Sequence, residues 1–323
     1  MKRDIRPAAK GYALYSLSLA LLAFSSFLPA RAAEPAPQPQ PKPSMTLVQS
    51  VVLGVVEGVT EYLPVSSTGH LLLTQRLLHI GESGQEKIAA DAYAVCIQAG
   101  AILAVLGLYF RRVRQMTLGL VGRDSEGRSL LINLIVAFVP AAAIGFLLEK
   151  KIKLYLFGGD HWGLWPIAGA WIAGGLLILI LDRTLIPKRR SSGLTLGQLT
   201  WRMALGIGLA QCLAMWPGVS RSLATIVGGM VAGLALADAV EFSFLLGLIT
   251  LTAATGKDAL EHGREMLACY GIMRPILGMA VAAISAAVAV KWMVSYLRCH
   301  PMAIFGYYRL ALGAAVVVAM VAH

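Results

Sequence analysis

Glu57 and Glu61 stand four residues apart in the stretch VVEGVTEYLPVSSTGHL, Val55 to Leu71, which continues through Ser66, Ser67 and Thr68 to His70. The flanks, LVQSVVLGVV before Glu57 and LLLTQRLL after His70, are strongly apolar. On a helix the two carboxylates share one face, one turn apart. Adjacent buried carboxylates repel and need a cation or a shared proton. A charge at the centre of a bilayer costs roughly 2.5–3.5 kcal/mol on insertion scales. A hard divalent ion, Mg2+ or Ca2+, held by Glu57 and Glu61 and completed by phosphate oxygens of a substrate would balance the charge. The plainer alternative is a pair hydrated at a helix end with no role. The LPVSSTG break and the histidine that follow favour chemistry. His70 shares its stretch with two carboxylates and two serine hydroxyls, company suited to general acid–base or nucleophilic work. Its alternative is a packing histidine that donates to a carbonyl. His79, His161, His262, His300 and His323 have no such neighbours in sequence.

A second stretch, WPGVSRSLAT from Trp216 to Thr225, sets Arg221 among hydroxyls in apolar sequence with no acid nearby. An unpaired arginine inside a membrane calls for an anion, and its planar fork suits phosphate oxygens. Backbone N–H groups at a helix start after Pro217-Gly218 would add to the attraction. The competing reading has Arg221 reaching out to the membrane surface. Brought together, the two stretches make a cation-plus-arginine clamp with a nucleophile or an activated water. That is a site for phosphoryl transfer or phosphate hydrolysis, and its apolar setting implies a lipid-borne phosphate.

Positioning such a site falls to membrane helices. Of 323 residues 57% are hydrophobic and only 14% charged, against about a quarter charged in soluble domains, and the mean hydropathy is +0.70. Runs near 92–110, 129–148, 164–182, 240–256, 274–293 and 303–322 approach the roughly 20 residues that span a bilayer. The net charge of +11 does not point to nucleic acid. Its basic residues gather in short loops, as in RRVR (Arg111 to Arg114) and PKRR (Pro187 to Arg190), the pattern of cytoplasmic loops. The four cysteines, Cys96, Cys212, Cys269 and Cys299, show neither metal spacing nor a disulfide framework.

Two further apolar segments, 46–79 and 200–236, are each interrupted by Pro, Gly and Ser. Set over one another with one extra residue at Gly218, they place Glu57 on Gln211, Ser66 on Ser220 and Ser67 on Arg221. Paired interrupted segments are the sequence sign of an internal repeat with its site at the repeat interface. The expectation is an all-α polytopic membrane protein, an inverted repeat with halves at about 45–150 and 200–323, two re-entrant helix pairs and about six transmembrane helices. Residues 45–323 form one catalytic domain. Residues 1–33 have a basic start, an apolar middle and a small-residue site, the layout of a signal peptide or an uncleaved anchor. Residues 34–44 form a proline-rich extended linker outside the cytoplasm. The loops 111–128, 183–200 and 294–302 then lie inside, and 149–163 and 257–273 outside. Nothing in the sequence sets the oligomeric state, and a homodimer is compatible with it.

The two motifs resemble those of the bacterial undecaprenyl-diphosphate phosphatases linked to bacitracin resistance. That family carries (E/Q)-x-x-x-E running into EYLPVSSTGH-like sequence, then P-G-x-S-R-S-x-x-T. The likeness runs from about Met45 to the end and includes EFSFLLG, Glu241 to Gly247. It implies hydrolysis of undecaprenyl diphosphate to the monophosphate at a site open to the outer face of the plasma membrane, within an interlocked inverted repeat. By motif, Glu57 and Glu61 are its metal and acid–base carboxylates, Ser67 its nucleophile, His70 the base or proton donor, and Arg221 the diphosphate clamp. Ser66, Thr68, Gln211, Ser220, Ser222 and Thr225 would be secondary substrate contacts. Leu223 departs from the glycine usual after Ser-Arg-Ser, which bears on lipid fit. The N-terminal segment and linker are additions.

Acid-phosphatase-like lipid phosphatases need a histidine six residues after the arginine, where this chain has Val227. A polyprenyl-phosphate flippase would use the same architecture and anion clamp. It would not need the Glu pair, Ser67 and His70 together.

Overall fold

A computed structural model of the chain describes residues 45–82, 84–152 and 164–322. The signal-like segment, the linker and most of the 149–163 loop lie outside the described residues. Among the described residues, six helices are long and apolar enough to cross a membrane: α3 (Gly84–Leu108), α5 (Ser125–Ile152), α6 (Trp165–Thr184), α10 (Leu236–Tyr270), α11 (Met273–Cys299) and α12 (Ala303–Ala322). The expected runs were shorter, most of all for α10, whose 35 residues span about 52 Å at 1.5 Å per residue. The expected outside loop 257–273 is therefore helical as far as Tyr270. Of the expected inside loops, 111–128 carries α4 (Phe110–Leu120) and 183–200 carries the short α7 (Ile186–Ser191). Arg112 of α4 pairs with Glu241 of α10 at 2.6 Å, which gives the first residue of EFSFLLG its place.

The two interrupted segments are helix pairs. The first is α1 (Leu47–Thr60) and α2 (Ser67–Leu77), the second α8 (Trp201–Cys212) and α9 (Arg221–Ala232). The longest of the four, 14 residues, reaches only about 21 Å, short of the roughly 30 Å of hydrocarbon. Each pair begins at a threonine cap, Thr46 or Thr200, whose hydroxyl accepts a first-turn N–H. In each pair the second helix starts after a serine at positive φ, Ser66 (φ 74°) or Ser220 (φ 77°). Thr46, Glu57, Ser66 and Ser67 fall on Thr200, Gln211, Ser220 and Arg221 at one constant offset, so the extra residue expected at Gly218 is not needed.

The packing pattern occurs twice and crosses between halves. α1 lies along α11, and α8 lies along α5, while α3 packs on α10 and α6 on α12. The reason is side-chain size. Gly54 and Gly58 form a G-x-x-x-G stripe on α1 that meets the small residues Gly278, Ala282 and Ala286 of α11, and Gly208 of α8 meets the Ala137 backbone of α5. Small residues let helix backbones approach where lipid gives no hydrophobic drive. A Cβ at Gly58 would lie 2.7 Å from Ser285 Cβ and 2.8 Å from Ala286 N, with backbone on one side and no room to shift.

Gly58→Val should therefore push α1 off α11 and lower stability by about 1–3 kcal/mol, read as a fall in thermal midpoint in detergent. A midpoint equal to that of the unsubstituted protein would show that the α1–α11 contact is not close-packed.

Candidate active site

Both breaks deliver their polar residues to one place. α1 ends at Thr60 with Glu61 as its C-cap, the Pro64 turn follows, and α2 starts at Ser67. The second chain path turns at Pro217-Gly218 and starts α9 at Arg221. The starts of α2 and α9 face a common cavity of about 110 Å³ lined by Glu61, Ser66, Ser67, Thr68, Ser220 and Arg221, with Gln98 of α3 among the remaining walls. Two helix starts thus bring the positive ends of their dipoles to one cavity, with Leu223 N–H of α9 capped by the Ser220 hydroxyl. Ser66 and Ser220, the N-caps, hold strained backbone of the kind that collects at functional sites.

Glu61 is the link between the halves. One oxygen accepts from Arg221 Nη2 at 3.0 Å, and the other accepts a short hydrogen bond from Ser67 Oγ. Both Glu61 and Ser67 are buried. The EFSFLLG segment of α10 forms the bed for the arginine. Arg221 Nη1 donates to the Ser243 carbonyl at 2.9 Å, and a Cβ at Gly247 would stand 2.5–2.8 Å from the guanidinium, so a larger residue there would move it from this position. Tyr62 places its ring 5.2 Å from the guanidinium carbon and packs edge-on against Phe244. The guanidinium keeps its buried Nε without a partner among the described residues. Arg221 thus lines the cavity rather than reaching to the membrane surface.

Glu57 lies one turn behind, fully buried, with neither oxygen hydrogen-bonded among the described residues. An ionised carboxylate so placed is costly without a counter-charge, and two free oxygens are what a hard cation takes. No group of three or more His, Cys, Asp or Glu gathers among the described residues. Glu57 thus offers two unpartnered oxygens, whereas Glu61 spends one oxygen on Arg221 and the other on Ser67, and Glu57 is not among the residues that line the cavity.

The structure places His70 apart from the Ser67 hydroxyl's hydrogen bond, whose acceptor is Glu61. His70 Nδ1 lies 2.7 Å from the Ser66 carbonyl oxygen, which can only accept, so this nitrogen carries the proton; Nε2 meets the Tyr308 hydroxyl at 2.7 Å. The Tyr308 ring lies nearly parallel to the imidazole, at 5.7 Å. His70 thus braces the strained Ser66 turn. Ser66, Thr68 and Ser220 line the cavity. Ser222, Thr225 and Gln211 do not. Ser222 Oγ donates to the Leu63 carbonyl at 2.8 Å and so stitches the breaks together. Thr225 Oγ1 meets Ser243 Oγ at 2.6 Å, and Gln211 accepts from Thr250 at 3.3 Å.

Sequence reasoning missed Arg309 and Tyr308, neighbours on α12. Arg309 is fully buried and donates to the carbonyls of Pro64 (3.2 Å), Gly218 (2.8 Å), Ala170 (2.8 Å) and Trp171 (3.4 Å). One guanidinium thereby ties both breaks to α6. An arginine within the apolar run AIFGYYRLALG was the available signal, since intramembrane charges mark functional sites by default.

A membrane-embedded helical protein with an arginine, a carboxylate-bound serine and two helix starts around one cavity belongs to the class that handles phosphorylated lipids. Residues 50–315 match the family described as bacitracin resistance protein BacA, and the chain belongs to that family. It is 43% identical over 269 residues to the undecaprenyl-diphosphatase of Sorangium cellulosum (strain So ce56), covering 83% of this chain and 84% of that protein. It is 41% identical over 280 residues to the undecaprenyl-diphosphatase of Methylococcus capsulatus, covering 85% and 95%. Undecaprenyl-diphosphatase 2 of Rhodospirillum rubrum is 42% identical over 269 residues, covering 83% and 92%.

Arg309→Lys cannot reach four carbonyls with one ammonium, and the turn carbonyls of Pro64 and Gly218, which have no helix partner, cost about 1–3 kcal/mol each if left unpaired. It should lower the thermal midpoint clearly more than Tyr308→Phe, which loses one hydrogen bond worth about 0.5–1.5 kcal/mol. Equal midpoints for the two variants would deny Arg309 its role as the tie.

Proposed function

We propose that this chain hydrolyses undecaprenyl diphosphate to undecaprenyl phosphate and inorganic phosphate. This would recycle the lipid carrier of cell-wall synthesis in the bacterial inner membrane and give resistance to bacitracin. The observation that carries the reading is the Ser67–Glu61–Arg221 chain at a cavity flanked by two helix starts. Arg221 and the N–H groups of α2 and α9 hold the terminal phosphate and take up charge as it develops. Ser67 Oγ attacks the terminal phosphorus while Glu61 takes the hydroxyl proton. The bond to the bridging oxygen breaks, and that oxygen leaves with undecaprenyl phosphate. Glu61 passes that proton to the departing bridging oxygen, then takes one from the incoming water and returns it to Ser67 Oγ as the bond between serine and phosphorus breaks, which releases phosphate and regenerates both side chains. A divalent cation, Mg2+ or Ca2+, held by Glu57 and Glu61, would supply charge neutralisation at the diphosphate. His70 holds the Ser66 turn and with it the start of α2.

The helix pairs, each too short to cross singly, fit segments that re-enter from opposite faces as an inverted repeat, with the cavity open to the outer side. The basic residues of α4 and α7 support the cytoplasmic placement of those helices. A flippase is not favoured, because carriage of a lipid phosphate has no use for a serine held on a carboxylate.

Phosphate release from undecaprenyl diphosphate by detergent-purified protein tests the reading, with Mg2+ or Ca2+ and then with chelator. Ser67→Ala, Glu61→Gln and Arg221→Ala should each lower kcat/KM by about 10²–10⁴-fold, and Glu57→Gln should weaken the response to metal. If folded, unsubstituted protein releases no phosphate above these variants, it is not a phosphatase.

A further inference from the structure

A second and much larger concavity adjoins the phosphate cavity. Its volume is about 1010 Å³, and Met215 and Trp216 line both. From the second break it runs down between α6, α8 and α9. Ala170, Ala173, Gly174 and Leu177 make one wall as a helical stripe, with Gly206 and Ala210 opposite. Leu223, Val227 and Val231 of α9 complete it, and Arg202 is the one charged residue along it. Arg202 sits beside Trp201 at the start of α8, 5.4 Å above its ring, the kind of pair that marks a membrane–water interface.

We propose that this groove holds the proximal part of the polyprenyl tail, so that the protein reads the first few isoprene units and no more; the proposal rests on the phosphatase reading. A lipid whose diphosphate sits at the breaks must send its tail away from the polar wall of Glu61, Ser67 and Arg221. The groove is an apolar path that starts there. Its length sets what it can measure. α8 and α9 have 12 residues each, about 18 Å. An isoprene unit contributes four main-chain bonds of about 1.5 Å, or about 5 Å extended. About four units therefore fill the groove, and the rest of the tail turns out of it into the bilayer short of Arg202. Leu223, which replaces the glycine usual in the resembling motif, is almost wholly buried at 2% exposure. It belongs to the α9 wall of the groove and packs mainly into the apolar core behind it.

Gly206 offers a direct test, because a Cβ there meets no atom within 4 Å and would project into open space. Gly107 of α3 is equally open and lies off the groove, so it serves as the matched control. Phosphate release would be measured in one detergent with geranyl, geranylgeranyl and undecaprenyl diphosphates, which carry two, four and eleven isoprene units. KM should fall about tenfold from two to four units and change less than about twofold from four to eleven. Gly206→Leu should raise KM for the four- and eleven-unit substrates about tenfold, and for the two-unit substrate by less. Gly107→Leu should match the unsubstituted protein. Hydrolysis with a KM independent of length, or one falling steadily to eleven units, would overturn the groove assignment while leaving the phosphatase. So would a Gly206→Leu protein with unchanged KM, and the groove would then belong to a bilayer lipid. No release from any of the three by unsubstituted protein would overturn both readings.

Discussion

A carboxylate held between a hydroxyl and a guanidinium is the contact on which this molecule turns. Glu61 comes from the first break and Arg221 from the second, and Ser67 opens the helix after Glu61. Neither charge could stay in its apolar surroundings alone, because an isolated buried ion is far costlier than a paired one. The pairing has a structural cost of its own. Two chain segments must stop being helical in mid-course, turn, and meet. The serines at positive φ, the carbonyl contacts of Arg309, the Ser222 stitch and the glycine beneath Arg221 all serve to hold those two turns together. Charge pairing and helix interruption are thus one constraint seen from two sides.

The same constraint explains how the repeat is used. Equivalent positions in the two halves share backbone geometry and differ in chemistry: Glu57 answers to Gln211, Ser67 to Arg221. A frame with twofold likeness supplies two similar turns. Assigning the acidic and nucleophilic groups to one and the cationic group to the other makes a site that neither turn could make alone. The strained serine caps at 66 and 220 are the part that stayed equal, since both turns need the same backbone to aim a helix start at the cavity.

Much of this was legible in the residues. Paired interrupted segments gave the breaks and the alignment of Ser67 with Arg221, because Pro, Gly and Ser punctuate the chain in both. Charge scarcity and apolar runs gave the six long helices, though not their ends, since a helix such as α10 continues past the membrane without a change in local propensity. Partner choice was hidden. The motif resemblance suggested His70 for Ser67, whereas the fold gives that hydroxyl to Glu61 and turns His70 toward Ser66 and Tyr308. Thr225 and Ser222 carry the right chemistry for phosphate and spend it on the structure. Arg309 went unread because its partners are backbone carbonyls, which leave no mark in a sequence. Ser243 and Gly247 were visible only as part of a motif, and the space that Arg221 needs became evident only in three dimensions.

The exchange of packing partners between halves has a consequence for how the chain comes into being. α1 bears Glu57 and leads directly to Glu61, yet its resting place on α11 is made of residues such as Ala282, which emerge from the ribosome long after Gly58. At about 5–20 residues per second, the first carboxylate-bearing helix waits on the order of tens of seconds for the surface it will bind. In that interval it has only α2 and α3 of its own half to pack on, with Ser50 within hydrogen-bond reach of Tyr93. Assembly therefore cannot proceed half by half, as in a repeat whose units fold as they arrive. The first half is held open until the second has entered the membrane.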